Sequence, residues 1–538
     1  MVKFKQVVLV VLDGFGVASA WEGNAVTAAN PETINYLVNH YPALTLQASG
    51  PVVGLPWAER GNSETGHLNM GAGRVVAQDL LRINQAVTSG DFFKNPAFVG
   101  AFEHVKKNSS KLHLIGLISP GGIHSSEEHF HALLSMAKEA GVSQVFVHMI
   151  TDGRDSDPKV ALKTLDRFNR QFFHLGIGKI ATVSGRFYAM DRGGHWDLTK
   201  KTYQAMALGL GEETDSAYNA VRQAYDKQLS DETIPPTVIM EGDQPVSRMT
   251  SGDAVIFFNF RPDRMLQLAR SLIDPSFDKF AENYSKLEDL YAVTMTSYSE
   301  SLTAHAAFPA SPMINGLGEV LSRNNFSQCR IAETEKYAHV TSFFNGGRET
   351  PFPGEIRKII ASPLSYEERY ENVPAMSAAG VTQAAIAQIS SGTNFVLINF
   401  ANPDMVGHTG NIDACIAAVR AVDVSLRAIL EAVKKTGACL IVTADHGKIE
   451  QILDPATGII DKDHSPNPVP FLIAAKEFGL LSLREKGYVE LPAMVPEGVL
   501  SDVAPTVLEL FGIEKPKEMH AESLLPIILK QTKEIGPK

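Results

Sequence analysis

Cysteine is scarce in this sequence, with only three among 538 residues. Cys329, Cys415 and Cys439 are widely spaced and form no CxxC pair. This pattern indicates neither a disulfide framework nor a metal site built from thiolates. We therefore expect a protein of a reducing compartment, the cytoplasm.

Long hydrophobic runs are absent as well. No uninterrupted apolar segment of the sequence approaches the roughly 20 residues that a membrane-spanning helix needs. The apolar run near the N-terminus ends at Asp13, before it reaches the length of a signal-peptide core, and no small-residue cleavage site follows it. We expect no membrane association.

Positive charge is in deficit, because the formal net charge is −11. General binding to nucleic acid requires concentrated Lys and Arg, so this balance argues against a nucleic-acid partner. A small anionic substrate is still compatible with it, since a few arginines gathered at one place can override the global charge.

Short apolar runs alternate with amphipathic stretches along the chain, as expected of βα units in a mostly parallel sheet. With 44% hydrophobic residues the chain can build a large core, and its length suggests several domains. The segment 412–435 has apolar residues at helical spacing and Gly437 behind it, which predicts a long helix. The predicted buried strands are 6–12, 112–118, 145–150, 180–183, 254–258, 292–296, 395–400, 438–442 and 469–474.

Residues of the kind that bind metals are unevenly distributed. They cluster in 13–67 and again in 404–464, whereas the middle of the chain carries arginines and few such clusters. A core domain interrupted by an inserted domain would explain this distribution. We place the core domain at 1–77 and 311–538 and the inserted domain at 78–310.

Acidic residues and histidines follow three of the predicted strands. Strand ends at one edge of an open α/β sheet are where such proteins bind ligands and metals. Carboxylates and imidazoles without thiolate suit Mn²⁺ or Zn²⁺ better than Ca²⁺. The alternative is that each of these residues caps a helix or satisfies a hydrogen bond in the core. The candidate ligands are Asp13, Asp404, His408, Asp445, His446 and, as a further histidine, His464.

A serine lies between two glycines in the segment Gly61–His67. Glycines allow a phosphorus atom to come close, and a neighbouring divalent ion would lower the pKa of the Ser63 hydroxyl enough to make it a nucleophile. The alternative is an ordinary helix cap, with Asn62 or Ser63 bonded to the first turn.

Five arginines each lie just beyond a predicted strand end in the middle of the chain. A planar guanidinium at such a place can bind a carboxylate or phosphate with two hydrogen bonds, so we expect a pocket for a small anion. The alternative is that these side chains form surface salt bridges. The five are Arg154, Arg186, Arg192, Arg261 and Arg264.

Eight segments together resemble the motifs of the cofactor-independent (2,3-bisphosphoglycerate-independent) phosphoglycerate mutases, and they extend over nearly the whole chain. They are Asp13–Gly16, Gly61–Glu64, Gly122–Ser125, Asp152–Asp155, Ser184–Arg192, Phe257–Arg264, Glu333–Thr341 and Thr443–Gly447. The resemblance implies an α/β fold, with a core domain like that of alkaline phosphatase and an inserted phosphotransferase domain, and an active site in the cleft between the two. It also implies two Mn²⁺ ions, one held by Asp404, His408 and His464 and the other by Asp13, Ser63, Asp445 and His446.

The resemblance also implies a reaction, the interconversion of 3-phosphoglycerate and 2-phosphoglycerate without bisphosphoglycerate. Ser63 would accept the phosphate and return it after the glycerate has reoriented. Lys336 would neutralise charge on the transferred group, and Asp155 would move protons to and from the glycerate hydroxyls. The residues expected to hold the substrate are His124, Arg154, Asp155, Arg186, Arg192, Arg261, Arg264 and Lys336. We expect a monomer, again from the resemblance.

The chain departs from the family's motifs at three places. Pro120 stands where an aspartate is expected before Gly121–Ser125, and Lys448 stands where an asparagine is expected after Gly447. The stretch 461–466 replaces a more histidine-rich one, so that Asp463 is an alternative to His464 as the last ligand.

Two other functions compete with this reading. A metal-dependent phosphatase or phosphopentomutase could use the same core, but we expect it to lack the arginines of 261–264 and the full-length insert. A binding or structural protein without catalysis would be expected to have lost Ser63 or a metal ligand, and the sequence retains all of them.

Overall fold

A computed structural model describes residues 3–57, 59–280, 284–309, 313–363, 369–479 and 484–534. The chain forms two compact units, one of Met1–Ala77 with Pro312–Lys538 (unit 1) and one of Gln78–Ser311 (unit 2). Each unit contains one large sheet. Within the described residues, none of the helices is both long and apolar enough to cross a membrane.

Strands occupy the predicted apolar runs and several further segments. All nine predicted buried strands are confirmed, with ends that differ by a few residues. In chain order the strands are β1 Val7–Leu12, β2 Ala43–Gln47, β3 Leu112–Ile118, β4 Val145–Thr151, β5 Lys179–Gly185, β6 Glu212–Thr214, β7 Thr237–Glu241, β8 Gln244–Pro245, β9 Ala254–Phe257, β10 Tyr291–Thr294, β11 His305–Ala306, β12 Gln328–Glu333, β13 Glu355–Ile360, β14 Phe395–Phe400, β15 Cys439–Thr443, β16 Val469–Ala474 and β17 Gly498–Val499.

The α-helices connect these strands and cover the sheets. The predicted long helix is confirmed: its side-chain cap is Asn411, and Gly437 ends it in the left-handed region at φ 71°. In chain order the helices are α1 Ala25–Ala29, α2 Glu32–His40, α3 Ser63–Ala72, α4 Asp79–Ser89, α5 Pro96–Asn108, α6 Glu127–Glu139, α7 Ala161–Leu175, α8 Arg186–Ala189, α9 Trp196–Tyr203, α10 Ala217–Asp226, α11 Leu266–Ile273, α12 Leu317–Arg323, α13 Ala378–Ser390, α14 Asn402–Gly407, α15 Ile412–Thr436, α16 Val503–Phe511 and α17 Leu525–Glu534.

The sheet of unit 1 has the order β13-β12-β14-β1-β15-β16-β2-β17. Its first five strands are parallel, whereas β16 runs antiparallel to both of its neighbours. All six residues of β1 are buried, as is typical of a central strand in a mostly parallel sheet, and this explains why the strand is an unbroken apolar run. The predicted α/β architecture with a mostly parallel sheet is confirmed.

The sheet of unit 2 has the order β11-β10-β9-β3-β4-β5-β7-β6 along its main path. Two separate hydrophobic clusters cover it, one with Phe130 and Phe168 and the other with Tyr203 and Phe257. Strands β9, β3, β4 and β5 are parallel neighbours, so their carboxyl ends lie at one edge. This edge carries the loops with the predicted anion-binding arginines.

A chain of polar side chains crosses the buried interior of unit 2. His113 Nε2 lies 3.2 Å from Asp253 Oδ2, His113 Nδ1 lies 2.9 Å from His148 Nε2, and His148 Nδ1 lies 2.9 Å from Thr182 Oγ1. Burial lowers the pKa of both histidines, more strongly for His148, although Asp253 partly opposes this at His113. Both imidazoles are therefore neutral in the folded protein near neutral pH.

We expect the free energy of unfolding to decrease as the pH falls below about 6.5. In the folded protein His113 and His148 stay neutral, whereas in the unfolded chain each of them binds a proton near about pH 6.5. Their contribution to the free energy of unfolding is therefore present above about pH 6.5 and is lost as the pH falls below it. Each histidine adds a slope of at most about 1.4 kcal/mol per pH unit. Urea unfolding across this range would measure the slope. The double variant His113→Gln, His148→Gln should flatten it, and the exposed control His174→Gln should not; equal slopes in all three proteins would contradict the expectation.

Candidate active site

Three parallel strands bring three aspartates to one edge of the sheet in unit 1. Strand β1 lies between β14 and β15, with Leu12 opposite Phe400 and Val11 opposite Thr443. The residues that follow these strand ends include Asp13, Asp404 and Asp445, which are all buried. The turn after β1 requires glycine, because Gly14 has φ +72° and a Cβ there would lie 2.9 Å from Asp404.

Helix α3 presents Ser63 at its first turn. Asn62 is the helix cap, since its side chain accepts a hydrogen bond from the backbone N–H of Thr65 at 2.8 Å. The Ser63 hydroxyl is therefore not needed as a cap. Gly66 lets the helix approach the strand end closely, because a Cβ at that position would lie 2.5 Å from the carbonyl oxygen of Asp445.

The Ser63 hydroxyl lies among charged side chains. Its Oγ is 3.1 Å from Asp13 Oδ1, 3.0 Å from His446 Nε2 and 2.8 Å from Lys336 Nζ. Lys336 follows strand β12 and donates at 2.6 Å to both Asp13 Oδ1 and Asp404 Oδ2. Burial alone would lower the pKa of Lys336, but the surrounding aspartates raise it well above its ordinary value, so the ammonium group stays charged.

Asp404, His408 and His464 present three atoms to one point. Asp404 Oδ1 lies 3.2 Å from His408 Nε2 and 3.3 Å from His464 Nε2, and the two nitrogens are 3.3 Å apart. Ligands that bind one ion at about 2.0–2.1 Å are separated by roughly this distance. Asp404 Oδ1 is buried and accepts no hydrogen bond from the described residues. The three atoms therefore fit a divalent cation.

The other nitrogens of these histidines are held by backbone carbonyls. His408 Nδ1 donates to the carbonyl oxygen of Lys462 at 2.7 Å, and His464 Nδ1 donates to that of Gly61 at 2.7 Å. Both bonds leave Nε2 without a proton, which is the form that binds a metal. Asp463, the alternative ligand, has a side chain that is 85% exposed and lies 4.0 Å from Arg60. The structure thus brings His464 beside Asp404.

The second predicted ligand set surrounds Ser63. Besides the contacts of Ser63, His446 Nε2 lies 3.6 Å from Asp13 Oδ1 and 3.8 Å from Asp445 Oδ2. Asp445 Oδ2 is another buried oxygen without a hydrogen-bond donor among the described residues. Burial lowers the pKa of His446, but the three aspartates raise it to about 9 overall. A site with this much negative charge is suited to a cation.

His446 lies between the two predicted sets, since its Nε2 is also 4.0 Å from Asp404 Oδ1. Grouping ligand atoms that lie within 4.8 Å of one another gives Asp404 with His446 and His464, and Asp13 with His67 and Asp445. The resemblance assigns His446 to the ion held by Asp13 and Asp445. In the structure its Nε2 lies within 4.0 Å of Asp13 and Asp445 and also of Asp404.

His67 is a residue that the sequence did not single out. Its Nδ1 donates to the carbonyl oxygen of Ser63 at 2.9 Å, so its Nε2 accepts from Asn399 Nδ2 at 3.1 Å. Asn399 Nδ2 also donates to Asp13 Oδ2 at 2.7 Å. Its Nδ1 also lies 3.2 Å from Asp445 Oδ2, so His67 packs against the second ligand set and orients Ser63 and Asn399. Its position four residues after Ser63, on the same helical face, was the available signal.

The predicted basic residues of unit 2 gather at the carboxyl edge of its sheet. Arg192 and Arg261 share Asp263, at 2.7 Å to Oδ2 and 3.1 Å to Oδ1, and both are about half exposed. Arg264 lies near Arg192, and its pKa is lowered by burial and by the neighbouring arginines. Among the described residues, the side chain of Arg154, at 58% exposure, pairs only with Glu232, at 3.5 Å. Most of these guanidinium groups keep donors free for an anion.

Arg186 is the buried member of this group. Its Nη1 donates to Asp152 Oδ1 at 2.6 Å and to Asp155 Oδ2 at 2.5 Å, and its Nη2 lies 3.2 Å from His124 Nε2. Burial and the charge of Arg186 lower the pKa of His124 to about 4, so the ring is neutral. Because Nε2 accepts from Arg186, Nδ1 carries the proton, and this buried donor has no partner among the described residues.

The segment with Pro120 keeps its contacts to this cluster. Ser119 Oγ donates to Asp152 Oδ2 at 2.5 Å and accepts from the backbone N–H of Gly121 at 3.0 Å. Asp152 Oδ1 in turn accepts from the backbone N–H groups of Arg154 and Asp155. The loop therefore has an internal scaffold that does not use a side chain at position 120.

Comparison with known proteins decides the family. A model described as "BPG-independent PGAM N-terminus" matches residues 83–300, and one described as "Type I phosphodiesterase / nucleotide pyrophosphatase" matches residues 319–454. The 2,3-bisphosphoglycerate-independent phosphoglycerate mutase of Chloroflexus aggregans is 45% identical, over 98% of this chain and 99% of that protein. The 2,3-bisphosphoglycerate-independent phosphoglycerate mutase 1 of Methanosarcina barkeri is also 45% identical, and the match covers 97% of this chain and 98% of that protein. The chain belongs to the 2,3-bisphosphoglycerate-independent phosphoglycerate mutases.

A solved phosphoglycerate mutase has the same fold. The structure from Leishmania mexicana is 29% identical, with a TM-score of 0.65, and the match covers 97% of this chain and 98% of that one. The predicted fold class, an alkaline-phosphatase-like α/β core with an inserted α/β domain, is confirmed. The chain is an isomerase of this mutase family, as predicted.

Proposed function

We propose that this mutase interconverts 3-phosphoglycerate and 2-phosphoglycerate without bisphosphoglycerate, through a phosphoserine at Ser63. The observation that carries the proposal is the environment of the Ser63 hydroxyl, which lies within 3.1 Å of a carboxylate, an imidazole and an ammonium group. A hydroxyl placed among these groups is positioned to become a nucleophile and to receive a phosphoryl group.

We propose two Mn²⁺ ions as cofactors. Asp404, His408 and His464 would hold one ion, and Asp13, Ser63, Asp445 and His446 the other. One observation supports this: Asp404 Oδ1 and Asp445 Oδ2 are buried and accept no hydrogen bond from the described residues. When bound, such ions lower the pKa of the serine hydroxyl and neutralise charge on the phosphoryl oxygens.

Ser63 and Lys336 would carry the transfer. Ser63 Oγ forms a bond to the phosphorus of 3-phosphoglycerate, its proton leaves towards Asp13 Oδ1, and the bond from phosphorus to the oxygen at carbon 3 breaks. Lys336 Nζ lies 2.8 Å from Ser63 Oγ and would stabilise the negative charge of the phosphoryl group during its transfer. The reverse step places the phosphoryl group on the oxygen at carbon 2 and restores the serine.

The basic cluster of unit 2 would hold glycerate and phosphate. Arg154, Arg192, Arg261 and Arg264 have donors for the carboxylate and phosphate oxygens, and the unpartnered Nδ1–H of His124 adds a neutral donor. Asp155 would take the proton of the hydroxyl at carbon 2 and pass it to the oxygen at carbon 3, so that it returns to its ionised form. In this proposal 1–77 with 311–538 is the metal-binding domain and 78–310 the substrate-binding domain.

We expect Arg186→Lys to raise the KM for 3-phosphoglycerate by about 10- to 100-fold, because a lysine cannot keep the contacts to Asp152, Asp155 and His124 together. Steady-state kinetics measures this. The matched control is Arg167→Lys, which alters an ion pair with Glu127 on the surface of the same unit and should leave KM unchanged. Equal KM values in the two variants would contradict the role of Arg186.

The experiment for the proposal is an isomerisation assay without added bisphosphoglycerate. The protein is first treated with EDTA, and Mn²⁺ is then restored. We expect conversion of 3-phosphoglycerate to 2-phosphoglycerate that depends on Mn²⁺ and releases no phosphate. Release of free phosphate would favour a phosphatase, and absence of both reactions would favour a binding protein without catalysis.

We further infer a place in the cell for this enzyme. The reaction belongs to glycolysis and gluconeogenesis, and its substrates are small molecules of the cytoplasm. Three free, buried cysteines are compatible with a reducing compartment. The family resemblance favours a monomer without nucleic-acid or membrane partners.

A further inference from the structure

Lys448 is a buried lysine with an unusual set of partners. Its side chain is fully enclosed, and its Nζ donates to the backbone carbonyl oxygens of Asp461 at 2.7 Å and Asp463 at 2.9 Å. Among the described residues no carboxylate lies within 4.0 Å of this Nζ in an ion pair. Burying an ammonium group costs free energy unless its N–H groups donate hydrogen bonds. The two hydrogen bonds to these carbonyls therefore hold the lysine and the loop in one position relative to each other.

The two carbonyls flank the group that orients a metal-ligand histidine. The carbonyl oxygen of Lys462, between Asp461 and Asp463 in sequence, accepts from His408 Nδ1. The next residue after Asp463 is His464, whose Nε2 faces the same aspartate oxygen as His408 Nε2. A displacement of this loop would therefore move both histidines.

The stem of Lys448 also packs against helix α14. A Cβ at Gly407 would lie 2.8 Å from Lys448 Cγ, so only glycine at this helix position leaves room for the lysine stem. Helix α14 carries Asp404 and leads directly into His408. Lys448 thus connects the helix that bears one part of the ligand set to the loop that bears the rest.

We propose that Lys448 is the positioning residue for the ion at Asp404, His408 and His464. Its ammonium group fixes the loop 461–463 through two backbone carbonyls and thereby sets the direction of both imidazoles. The inference rests on the proposed metal site and adds to it a residue that touches neither the ion nor the substrate. The side chain of Lys448 contacts the loop that bears His464 and the helix that leads to His408, and among the described residues it has no hydrogen bond to Ser63, so the loss of affinity should fall on this ion.

Calorimetric titration of Mn²⁺ into the EDTA-treated, full-length protein tests this inference. In Lys448→Met one of the two ions should bind about 10- to 100-fold more weakly, and the other should keep its affinity. The matched control is Lys462→Met, which removes an exposed ammonium group from the same loop but leaves the backbone carbonyls bound. Its two affinities should equal those of the wild-type protein.

A double-mutant comparison identifies the ion that is affected. His408→Asn should weaken the same ion, and adding Lys448→Met to it should leave the remaining ion unchanged. If Lys448→Met does not fold by circular dichroism, Lys448→Gln, which keeps one donor, takes its place and should weaken that ion to a smaller extent. A folded variant with two wild-type affinities, or with equal losses at both ions, would overturn the inference. Fewer than two Mn²⁺ ions on the wild-type protein would instead contradict the proposed metal sites.

Discussion

Ser63→Ala is expected to abolish the mutase reaction, with a fall in kcat of at least about 10,000-fold. The variant removes the one oxygen that would form a bond to phosphorus. The groups within 3.1 Å are a carboxylate and an imidazole, which the proposal assigns to a metal ion, and a lysine that is paired with two aspartates, so we expect none of them to take over as the phosphoryl acceptor. Conversion of 3-phosphoglycerate to 2-phosphoglycerate, followed with Mn²⁺ present, measures the effect.

The control for Ser63→Ala is Ser425→Ala. Ser425 is also a buried helical serine of unit 1, but its hydroxyl donates to the carbonyl oxygen of Ala421 within helix α15. Its loss should leave kcat unchanged. Substantial activity of Ser63→Ala, in a protein that melts like the wild type, would show that phosphate does not pass through this serine.

Lys336→Met is expected to lower kcat by about 1,000-fold with little change in KM. Methionine has a similar volume but no charge, so the variant removes the cation that contacts both Ser63 Oγ and two aspartates. The interaction would be strongest when charge spreads over the phosphoryl oxygens during transfer, which is why the effect appears in kcat. Steady-state kinetics at saturating Mn²⁺ measures it.

Metal content separates a catalytic role of Lys336 from a role in assembling the site. Without the lysine, Asp13 and Asp404 lose a positive neighbour, so Mn²⁺ should bind at least as well as in the wild-type protein. The control Lys515→Met removes a surface lysine of unit 1 that pairs with Glu522, and it should change neither kcat nor metal content. Loss of Mn²⁺ from Lys336→Met would argue for a structural role.

The sequence was most informative where the chain is buried on both sides. Strand β1 is an unbroken apolar run, β14 is interrupted only by Asn399, and β15 is apolar up to Thr443; an aspartate follows the end of each strand within four residues. Since parallel neighbours end at one edge, the meeting of Asp13, Asp404 and Asp445 could be predicted from these runs alone. Ser63 was more ambiguous, and only the contacts of Asn62 show which of the two residues caps the helix.

Other elements gave no usable signal because their environment depends on distant residues. Strand β12 is fully buried, but it contains Arg330, which is stacked between Phe344 and Phe395 at 4.9 and 5.2 Å. An arginine in such a strand hides the apolar pattern by which buried strands are recognised. The reversed direction of β16 was likewise not visible in its own residues.

The contacts that orient the loop of the proposed metal site could not be predicted from the sequence either. Lys448 could be identified as a departure from the family's motif, but its two bonds join residues 13 and 15 positions away. His67 could be placed on the face of Ser63, yet the role of its two nitrogens depends on Asn399, which is 332 positions away. Such orienting contacts follow from the packing of the whole unit.

The central claim is that Ser63 carries the phosphoryl group between the two positions of glycerate. The most direct measurement is mass spectrometry of the peptide that contains Ser63, after the Mn²⁺-loaded enzyme has been mixed with 3-phosphoglycerate and quenched in acid. We expect one phosphoryl group on Ser63, which forms no later than 2-phosphoglycerate. Turnover in which this serine is never phosphorylated would contradict the account.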